Sequence, residues 1–227
     1  MSIGENFQKV NERIVAAAKR VGRDPRDIKL VAVSKTIPVE RIQEGVAAGI
    51  KILGENRVQE AGEKAPFLLG QGLEWHLVGH LQTNKAKQAV SLFDWIHSVD
   101  SLRLAETLEK EAGKIGKKLN CLLEINIGGE ESKFGVKPAD AETLLKQISI
   151  FPHLKVQGLM TVAPIVPTDG EARPYFRRMT ELRKDLESRS GLALPFLSMG
   201  MTDDFEVAIE EGAKLVRIGR ALFGERT

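Results

Sequence analysis

The 227-residue sequence contains a single cysteine, Cys121, so it cannot form a disulfide within the chain. It has no run of about 18 apolar residues, the length that a membrane-spanning helix needs, and its first ten residues are too polar for a signal sequence. Positive and negative charges nearly balance, because the sequence has 33 Lys and Arg against 31 Asp and Glu. These features exclude an integral membrane protein, argue against a nucleic-acid or membrane partner, and predict a cytoplasmic location.

Common signatures of nucleotide and metal sites are also missing. No GxGxxG follows the first predicted strand, and GxxxxGK[ST] does not occur. His76 and His80 in WHLVGH have a metal-like separation, but no nearby cysteine completes a zinc set. We therefore expect no metal site.

Strand-like and helix-like segments alternate along the chain. The chain is 42% hydrophobic and 28% charged, which is ordinary globular usage. Short runs rich in Val, Ile and Leu alternate with helix-like stretches, which predicts strands joined by helices. The predicted strands cover residues 28–35, 50–56, 74–79, 95–100, 120–127, 155–162, 195–200 and 214–221.

Several of these strands are nearly continuous in apolar residues, which is typical of a parallel sheet covered on both faces. Eight such strands close most economically into a single (β/α)8 TIM-type barrel, with a doubly wound open sheet as the alternative. Residues 5–21 are predicted to form an extra N-terminal helix that covers the barrel wall beside the last strand. No low-complexity linker interrupts the chain, so residues 1–227 are expected to form one domain.

The last residues of the strands are the first candidates for a site, because the following loops converge at that end of a barrel. Lys35 ends the first predicted strand and shares parity with Val31 and Val33. A partly desolvated amine there favours the neutral form, a nucleophile able to form an imine with an aldehyde. The alternative is a strand-end lysine with its tip in solvent.

The segments LSMGMTDDFEVAI and LVRIGRALFG form a second candidate. Ser198, Gly200 and Thr202 lie between a strand and a helix, and Gly219 lets the backbone come close on the other side, which together indicate a phosphate site. A glycine turn with a helix cap is the alternative. From its parity along the last predicted strand, the side chain of Arg217 is expected to point into the barrel. An arginine there needs an acceptor, either in a functional site or in a structural pair with a carboxylate such as Glu124.

Seven ordered motifs between residues 31 and 224 carry a resemblance to a known family: VAVSKT, GENRVQE, WHLVGHLQTNK, SVDS, GLMTVAP, LSMGMTDDFEVAI and VRIGRALFG. With this set the chain resembles the pyridoxal 5'-phosphate (PLP) homeostasis proteins, which look like the barrel domain of alanine racemase standing alone. The resemblance implies that Lys35 forms a Schiff base with PLP and that Arg217 faces the pyridine nitrogen. It further implies a phosphate cradle of Ser198, Thr202 and backbone N–H groups near Gly200, Gly219 and Arg220, with Asn56, His80 and Met160 around the ring.

Two positions depart from the family pattern, since Arg57 stands where many relatives have tyrosine and Thr202 where many have serine. The resemblance implies a cofactor-binding protein in PLP homeostasis, without an established catalytic activity, that affects amino-acid and keto-acid metabolism. PLP-dependent apoenzymes are then candidate partners.

The chemistry of the expected site also favours binding over turnover. An arginine at the pyridine nitrogen makes the ring a weaker electron sink than a carboxylate would. The only tyrosine, Tyr175, falls in a predicted helix after the sixth strand and supplies no second base. The alternatives are a PLP-dependent racemase or lyase that uses Lys35 as its single base, and an aldolase-like barrel that forms the Schiff base with a sugar phosphate. We expect a monomer, because no unbroken apolar helix face remains once the helices cover the barrel.

Overall fold

The computed structural model of the chain describes residues 2–164, 166 and 168–224, which form a closed barrel of eight parallel strands. The strands are β1 (Lys29–Val33), β2 (Ile52–Glu55), β3 (Glu74–Leu77), β4 (Trp95–Val99), β5 (Leu119–Glu124), β6 (Leu154–Met160), β7 (Phe196–Ser198) and β8 (Leu215–Ile218). Each strand pairs with the next along the chain, and β1 pairs with β8 to close the barrel. The predicted TIM-type barrel is therefore confirmed, and the open-sheet alternative is wrong.

All eight predicted strands are present, and each ends earlier at its C-terminal end than predicted. The first ends at Val33, two residues before Lys35, and the second ends one residue before Asn56. The chain turns into loops at these points, and the loops form the mouth of the barrel. Lys35 and Asn56, which the sequence places at strand ends, thus belong to the mouth.

The helices surround the barrel. They are α1 (Ile3–Arg20), α2 (Val39–Ala47), α3 (Val58–Lys64), α4 (Ala86–Leu92), α5 (Leu102–Lys114), α6 (Ala141–Ile148), α7 (Asp169–Ser190), α8 (Phe205–Glu210) and α9 (Arg220–Phe223). None of these described helices is both long and apolar enough to cross a membrane.

The extra N-terminal helix α1 starts two residues earlier than predicted because Ser2 caps it. The Ser2 hydroxyl accepts a hydrogen bond from the Glu5 N–H at 3.2 Å, and the Glu5 carboxylate accepts one from the Ser2 N–H at 2.8 Å. The apolar stripe of α1, with Val10 and Ile14 buried, faces α8 and α9. Because α9 supplies only four residues after β8, α1 covers the wall that it leaves bare, as predicted.

Two apolar layers hold the fold together. The larger layer lies between the strands and the surrounding helices, where buried aliphatic side chains from both meet. The smaller layer fills the inside of the barrel, so the barrel is a packed core with its open space at one end. The buried apolar side chains of this inner layer are Val31, Val78, Trp95, Leu122, Met160 and Leu215.

Candidate functional site

A cavity of about 280 Å³ opens at the C-terminal end of the barrel strands. Val33 and Val78 form apolar walls, and charged and hydroxyl groups surround them. An apolar cavity with a few convergent polar groups is typical of a small-molecule site. Six of the ten site residues predicted from the sequence line it: Lys35, Asn56, Thr202, Arg217, Gly219 and Arg220.

Lys35 lies on the β1 side of the cavity beside Val33, in agreement with their shared parity. A buried ion pair holds the residue that precedes it. Lys64 of α3 contacts the Glu55 carboxylate at 2.8 Å and donates to the Ser34 carbonyl oxygen at 2.6 Å. The Ser34 hydroxyl also donates to Glu55, at 2.7 Å. This cluster ties the ends of β1 and β2 to α3 directly behind Lys35.

The residue that follows Lys35 is held as well. Thr36 has a left-handed backbone with φ of 64°, a conformation that costs a β-branched residue roughly 1–3 kcal/mol. Its N–H donates to the Glu60 carboxylate of α3 at 2.5 Å. With both neighbours attached to α3, the backbone of Lys35 has a fixed position at the mouth.

Arg217 is 5% exposed and points into the barrel from β8, as its parity predicted. Its Nη1 donates to the Ser198 hydroxyl and its Nη2 to the Thr161 carbonyl oxygen, both at 2.8 Å. Burial lowers the pKa of Arg217 to about 10, against the opposing charges of Asp204 and Glu124. The guanidinium is therefore cationic at neutral pH, at the buried base of the cavity. Within the described part of the chain it forms no ion pair with Glu124, the pairing considered from the sequence.

The loops after β7 and β8 form the opposite wall of the cavity. Thr202 and Arg220 both line it, and the Arg220 guanidinium also contacts the Asp203 carboxylate. Gly219 lets this wall approach β1, because a Cβ there would lie 3.3 Å from the Val33 carbonyl oxygen. The first N–H groups of α9 have no acceptor within that short helix, which makes this end suitable for an anion.

Gly200 does not line the cavity but shapes the loop that carries Thr202. Its φ is +89°, and a Cβ at this position would lie 2.5 Å from the Ala208 Cβ and 2.9 Å from the Phe205 Cα. Only glycine fits this turn against α8.

Ser198, Met160 and His80 also lie outside the cavity lining. The Ser198 side chain is fully buried and its oxygen accepts a hydrogen bond from Arg217, so the structure separates it from the Thr202 hydroxyl with which the sequence grouped it. Met160 belongs to the inner apolar layer below the mouth. The His80 ring stacks on Phe134, with 3.7 Å between ring centroids.

Asn56 reaches the cavity because Gly79 lets its backbone approach the neighbouring loop. A Cβ on Gly79 would lie 2.5 Å from the Asn56 carbonyl oxygen. The sequence places Gly79 only at the end of the third predicted strand. The backbone contact gives it a structural reason to be glycine.

The sequence did not predict that His76 and His97 are buried together inside the barrel, or that Glu124 has a raised pKa. His76 and His97 are fully buried inside the barrel below Arg217. Glu124 is 8% exposed at the end of β5, and burial, with the charge of Asp100, raises its pKa to about 7. The signal available in the sequence was the presence of polar residues at those alternate positions of β3, β4 and β5 that face the inside of the barrel. No group of three or more His, Cys, Asp or Glu in the described residues is arranged to hold a metal ion.

The comparisons with known proteins agree with the motifs. The model of the alanine racemase N-terminal domain family matches residues 6–227. The pyridoxal phosphate homeostasis protein of Aquifex aeolicus is 47% identical over 226 residues, which cover 100% of this chain and 99% of that protein. The protein of the same name from Pseudomonas aeruginosa is 42% identical over 225 residues, covering 99% of this chain and 96% of that protein.

Solved structures give the same result. PipY of Synechococcus elongatus, solved with PLP bound, is 41% identical with a TM-score of 0.83, and the match covers 95% of this chain and 100% of PipY. Alanine racemase of Clostridium difficile has a TM-score of 0.73 at 15% identity, and the match covers 95% of this chain and 56% of the racemase. The second likeness concerns the fold alone.

Proposed function

This chain belongs to the family of pyridoxal phosphate homeostasis proteins, and from that membership we propose that it binds PLP in the mouth cavity and takes part in PLP homeostasis as a binding protein rather than a catalyst. The observation that carries the proposal is the meeting of Lys35 and Arg217 in one cavity of about 280 Å³. An amine, a buried cation and an anion-binding wall match the aldehyde, the pyridine nitrogen and the phosphate of PLP. PLP bound to the relative PipY supports the same assignment.

In this proposal Lys35 holds the cofactor covalently. Its amine attacks the aldehyde carbon, a C=N bond forms and one water leaves, giving a Schiff base. The bond is reversible by hydrolysis or by exchange with another amine, which suits a protein that stores and releases PLP. The attachment of Ser34 and Thr36 to α3 fixes the backbone from which the Lys35 side chain extends.

Arg217 and the β7 and β8 loops hold the rest of the cofactor. Arg217 donates to the unprotonated pyridine nitrogen, and its permanent charge keeps that nitrogen from taking a proton. Thr202 and the backbone N–H groups near Gly219 and Arg220 bind the phosphate. Ser198 contributes indirectly, because its hydroxyl is engaged with Arg217. Asn56 flanks the ring.

The wider role follows from reversible binding. We place the protein in the cytoplasm as a monomer that supplies PLP to PLP-dependent apoenzymes and so affects amino-acid and keto-acid metabolism. These enzymes share the need for PLP, so free PLP is the common element through which one binding protein affects them.

The experiment that tests the proposal is a PLP titration followed by visible absorption. We expect an imine band for the native protein, no band for Lys35→Ala, and an unchanged band for the control Lys51→Ala, an exposed lysine before β2. Borohydride reduction and peptide mapping should place the label on Lys35. A label on another lysine, or no band at full cofactor supply, would refute the proposal.

Two further measurements separate the alternatives. Thr202→Ala should weaken PLP binding about tenfold or more, the contribution of a hydrogen bond to a charged group, and should affect pyridoxal less. Equal losses for both compounds would contradict the phosphate assignment. Amino-acid racemisation or decomposition at an ordinary enzymatic rate, abolished in Lys35→Ala, would favour a racemase or lyase instead.

A further inference from the structure

Beneath the mouth cavity, five side chains form a continuous hydrogen-bonded chain through the inside of the barrel. Arg217 Nη1 lies 2.8 Å from Ser198 Oγ, and Ser198 Oγ lies 3.0 Å from His97 Nδ1. His97 Nε2 lies 2.9 Å from His76 Nδ1, and His76 Nε2 lies 2.7 Å from Glu74 Oε1. The chain therefore connects the cavity with Glu74, at the start of β3 and the opposite end of the barrel.

The two ends of this chain fix the direction of every hydrogen bond in it. Arg217 can only donate, so the Ser198 oxygen accepts. Glu74 is 33% exposed in its side chain, and the hydrogen bond from His76 lowers its pKa, so it is an ionised acceptor at neutral pH. His76 Nε2 must therefore carry a proton.

The same donor-to-acceptor direction continues through the hydrogen bonds of both histidines. A neutral imidazole has one donor and one acceptor nitrogen, so a proton on Nε2 of His76 leaves its Nδ1 as the acceptor. His97 Nε2 then donates a hydrogen bond to His76 Nδ1, and His97 Nδ1 accepts a hydrogen bond from the Ser198 hydroxyl. The opposite direction would place a bare His76 nitrogen against the Glu74 carboxylate at 2.7 Å.

Both histidines have surroundings that keep them neutral. Burial lowers the pKa of His76, and burial followed by the charges of His76 and Arg217 lowers the pKa of His97 well below its ordinary value. The His76 ring also stacks on Trp95 of the inner layer, with 5.3 Å between centroids.

We propose that His97 is a positioning residue for Arg217. It stands at the centre of a one-directional hydrogen-bonded chain from Arg217 to Glu74 and accepts a hydrogen bond from the Ser198 hydroxyl. This keeps the serine lone pairs turned to the guanidinium that faces the cofactor ring. The contact with the ring rests on the PLP site proposed above, whereas the chain itself does not. Without His97 the serine hydroxyl can rotate and present its proton to Arg217. The guanidinium then keeps only its bond to the Thr161 carbonyl oxygen as a fixed contact.

The first test uses the protein without cofactor. Nitrogen-15 NMR of histidine-labelled protein distinguishes the Nδ1–H, Nε2–H and doubly protonated forms of each ring. We expect His76 and His97 both to be neutral with the proton on Nε2 near pH 7. A proton on Nδ1 of His97 would overturn the proposal, whether or not PLP binds.

The second test uses the pair His97→Leu and His97→Asn, which are nearly equal in shape. Asparagine places an amide oxygen close to the former Nδ1 and can accept from Ser198, whereas leucine cannot. We expect His97→Leu to weaken PLP binding about three- to tenfold and to shift the absorption band of the bound cofactor. His97→Asn should stay within about twofold of the native affinity. Equal losses in the two variants would refute positioning through Ser198.

A double variant separates positioning from a general loss of structure. If His97 acts through Ser198, His97→Leu should add no further loss of PLP affinity in a Ser198→Ala background. Losses that multiply would show that His97 acts by another route. Thermal unfolding of each variant verifies folding, and the NMR test decides the proposal if His97→Leu does not fold. Failure of the native protein to bind PLP would refute the proposed function but not the hydrogen-bond direction.

Discussion

Lys64→Met removes the cation behind the Lys35 backbone, and its effect follows from the contacts of one buried cluster. Lys64 is 9% exposed in its side chain and contacts Glu55 at 2.8 Å and Glu60 at 2.7 Å. Glu55 is fully buried, and one of its oxygens already lacks a hydrogen-bond partner among the described atoms. Breaking a buried pair by removing one partner costs about 3–5 kcal/mol. For a chain of this size we expect the melting temperature to fall by about 6–20 °C.

The loss should depend on pH in a direction set by Glu55. Burial raises the pKa of Glu55, while hydrogen bonds from Lys64 and Ser34 oppose the rise. Without Lys64 the pKa rises further. A group with a raised folded-state pKa adds stability that is full below its unfolded value and is lost as the pH rises through the folded value. The variant should therefore lose less stability near pH 5 than near pH 8.

Lys146→Met is a matched control. Lys146 forms the same i,i+4 pair with Glu142 at 2.6 Å, but its side chain is 59% exposed. An exposed pair contributes about 0–1 kcal/mol, so the control should unfold almost as the native protein does in urea, followed by tryptophan fluorescence. Equal destabilisation in the two variants, or a loss in Lys64→Met that does not change with pH, would refute the argument from buried charge.

Three other expectations follow from single positions. Gly22→Ala, at φ +69° with nothing within 4 Å of its Cβ, should cost about 1–2 kcal/mol, whereas Gly200→Ala should cost at least about 1 kcal/mol more in a urea titration because it also clashes with Ala208. Burial raises the pKa of Cys121 to about 12, so thiol reagents near pH 8 should modify it only after unfolding, and rapid labelling of the folded protein would be contrary evidence. The folded pKa of Glu124, about 7, lies above its ordinary value, so its contribution to stability is lost as the pH rises through about 7. Glu124→Gln should abolish that loss, on the order of 3 kcal/mol between about pH 4 and 8, in urea unfolding at several pH values.

The sequence was sufficient to predict the barrel because each strand and helix carries its own local pattern. The apolar runs of β1 and β5 identify buried parallel strands, and the short segment after β8 indicates that α1 must cover the adjacent wall. Parity along single strands also predicted that Lys35 shares a face with Val33 and that Arg217 points inward. These predictions need only the period of two within a strand.

The depth of a residue inside the barrel could not be predicted in this way. Depth depends on the stagger between strands, which places Ser198 opposite Met160 and Leu215 and therefore below the mouth. The contact between His97 and Ser198 joins residues 101 positions apart in the chain. It exists only because closure brings β4 and β7 across from one another. Local sequence patterns contain no information about the depth of a residue in the barrel or about contacts between strands that closure brings together.

The arrangement around Arg217 explains why this barrel favours holding a cofactor over transforming substrates. The guanidinium stays cationic, since its pKa of about 10 is well above neutrality. In the proposed site it would therefore oppose protonation of the pyridine nitrogen, which carbanion chemistry needs. Tyr175 packs against the outer apolar layer on α7 and does not line the described cavity. Glu124, at the end of β5, does not line this cavity either, but burial raises its pKa to about 7, so its carboxyl can exchange a proton near neutral pH. If Glu124→Gln slowed exchange of the bound cofactor with an added amine but left PLP affinity unchanged, this carboxyl would serve proton transfer during release, the step that a PLP carrier needs.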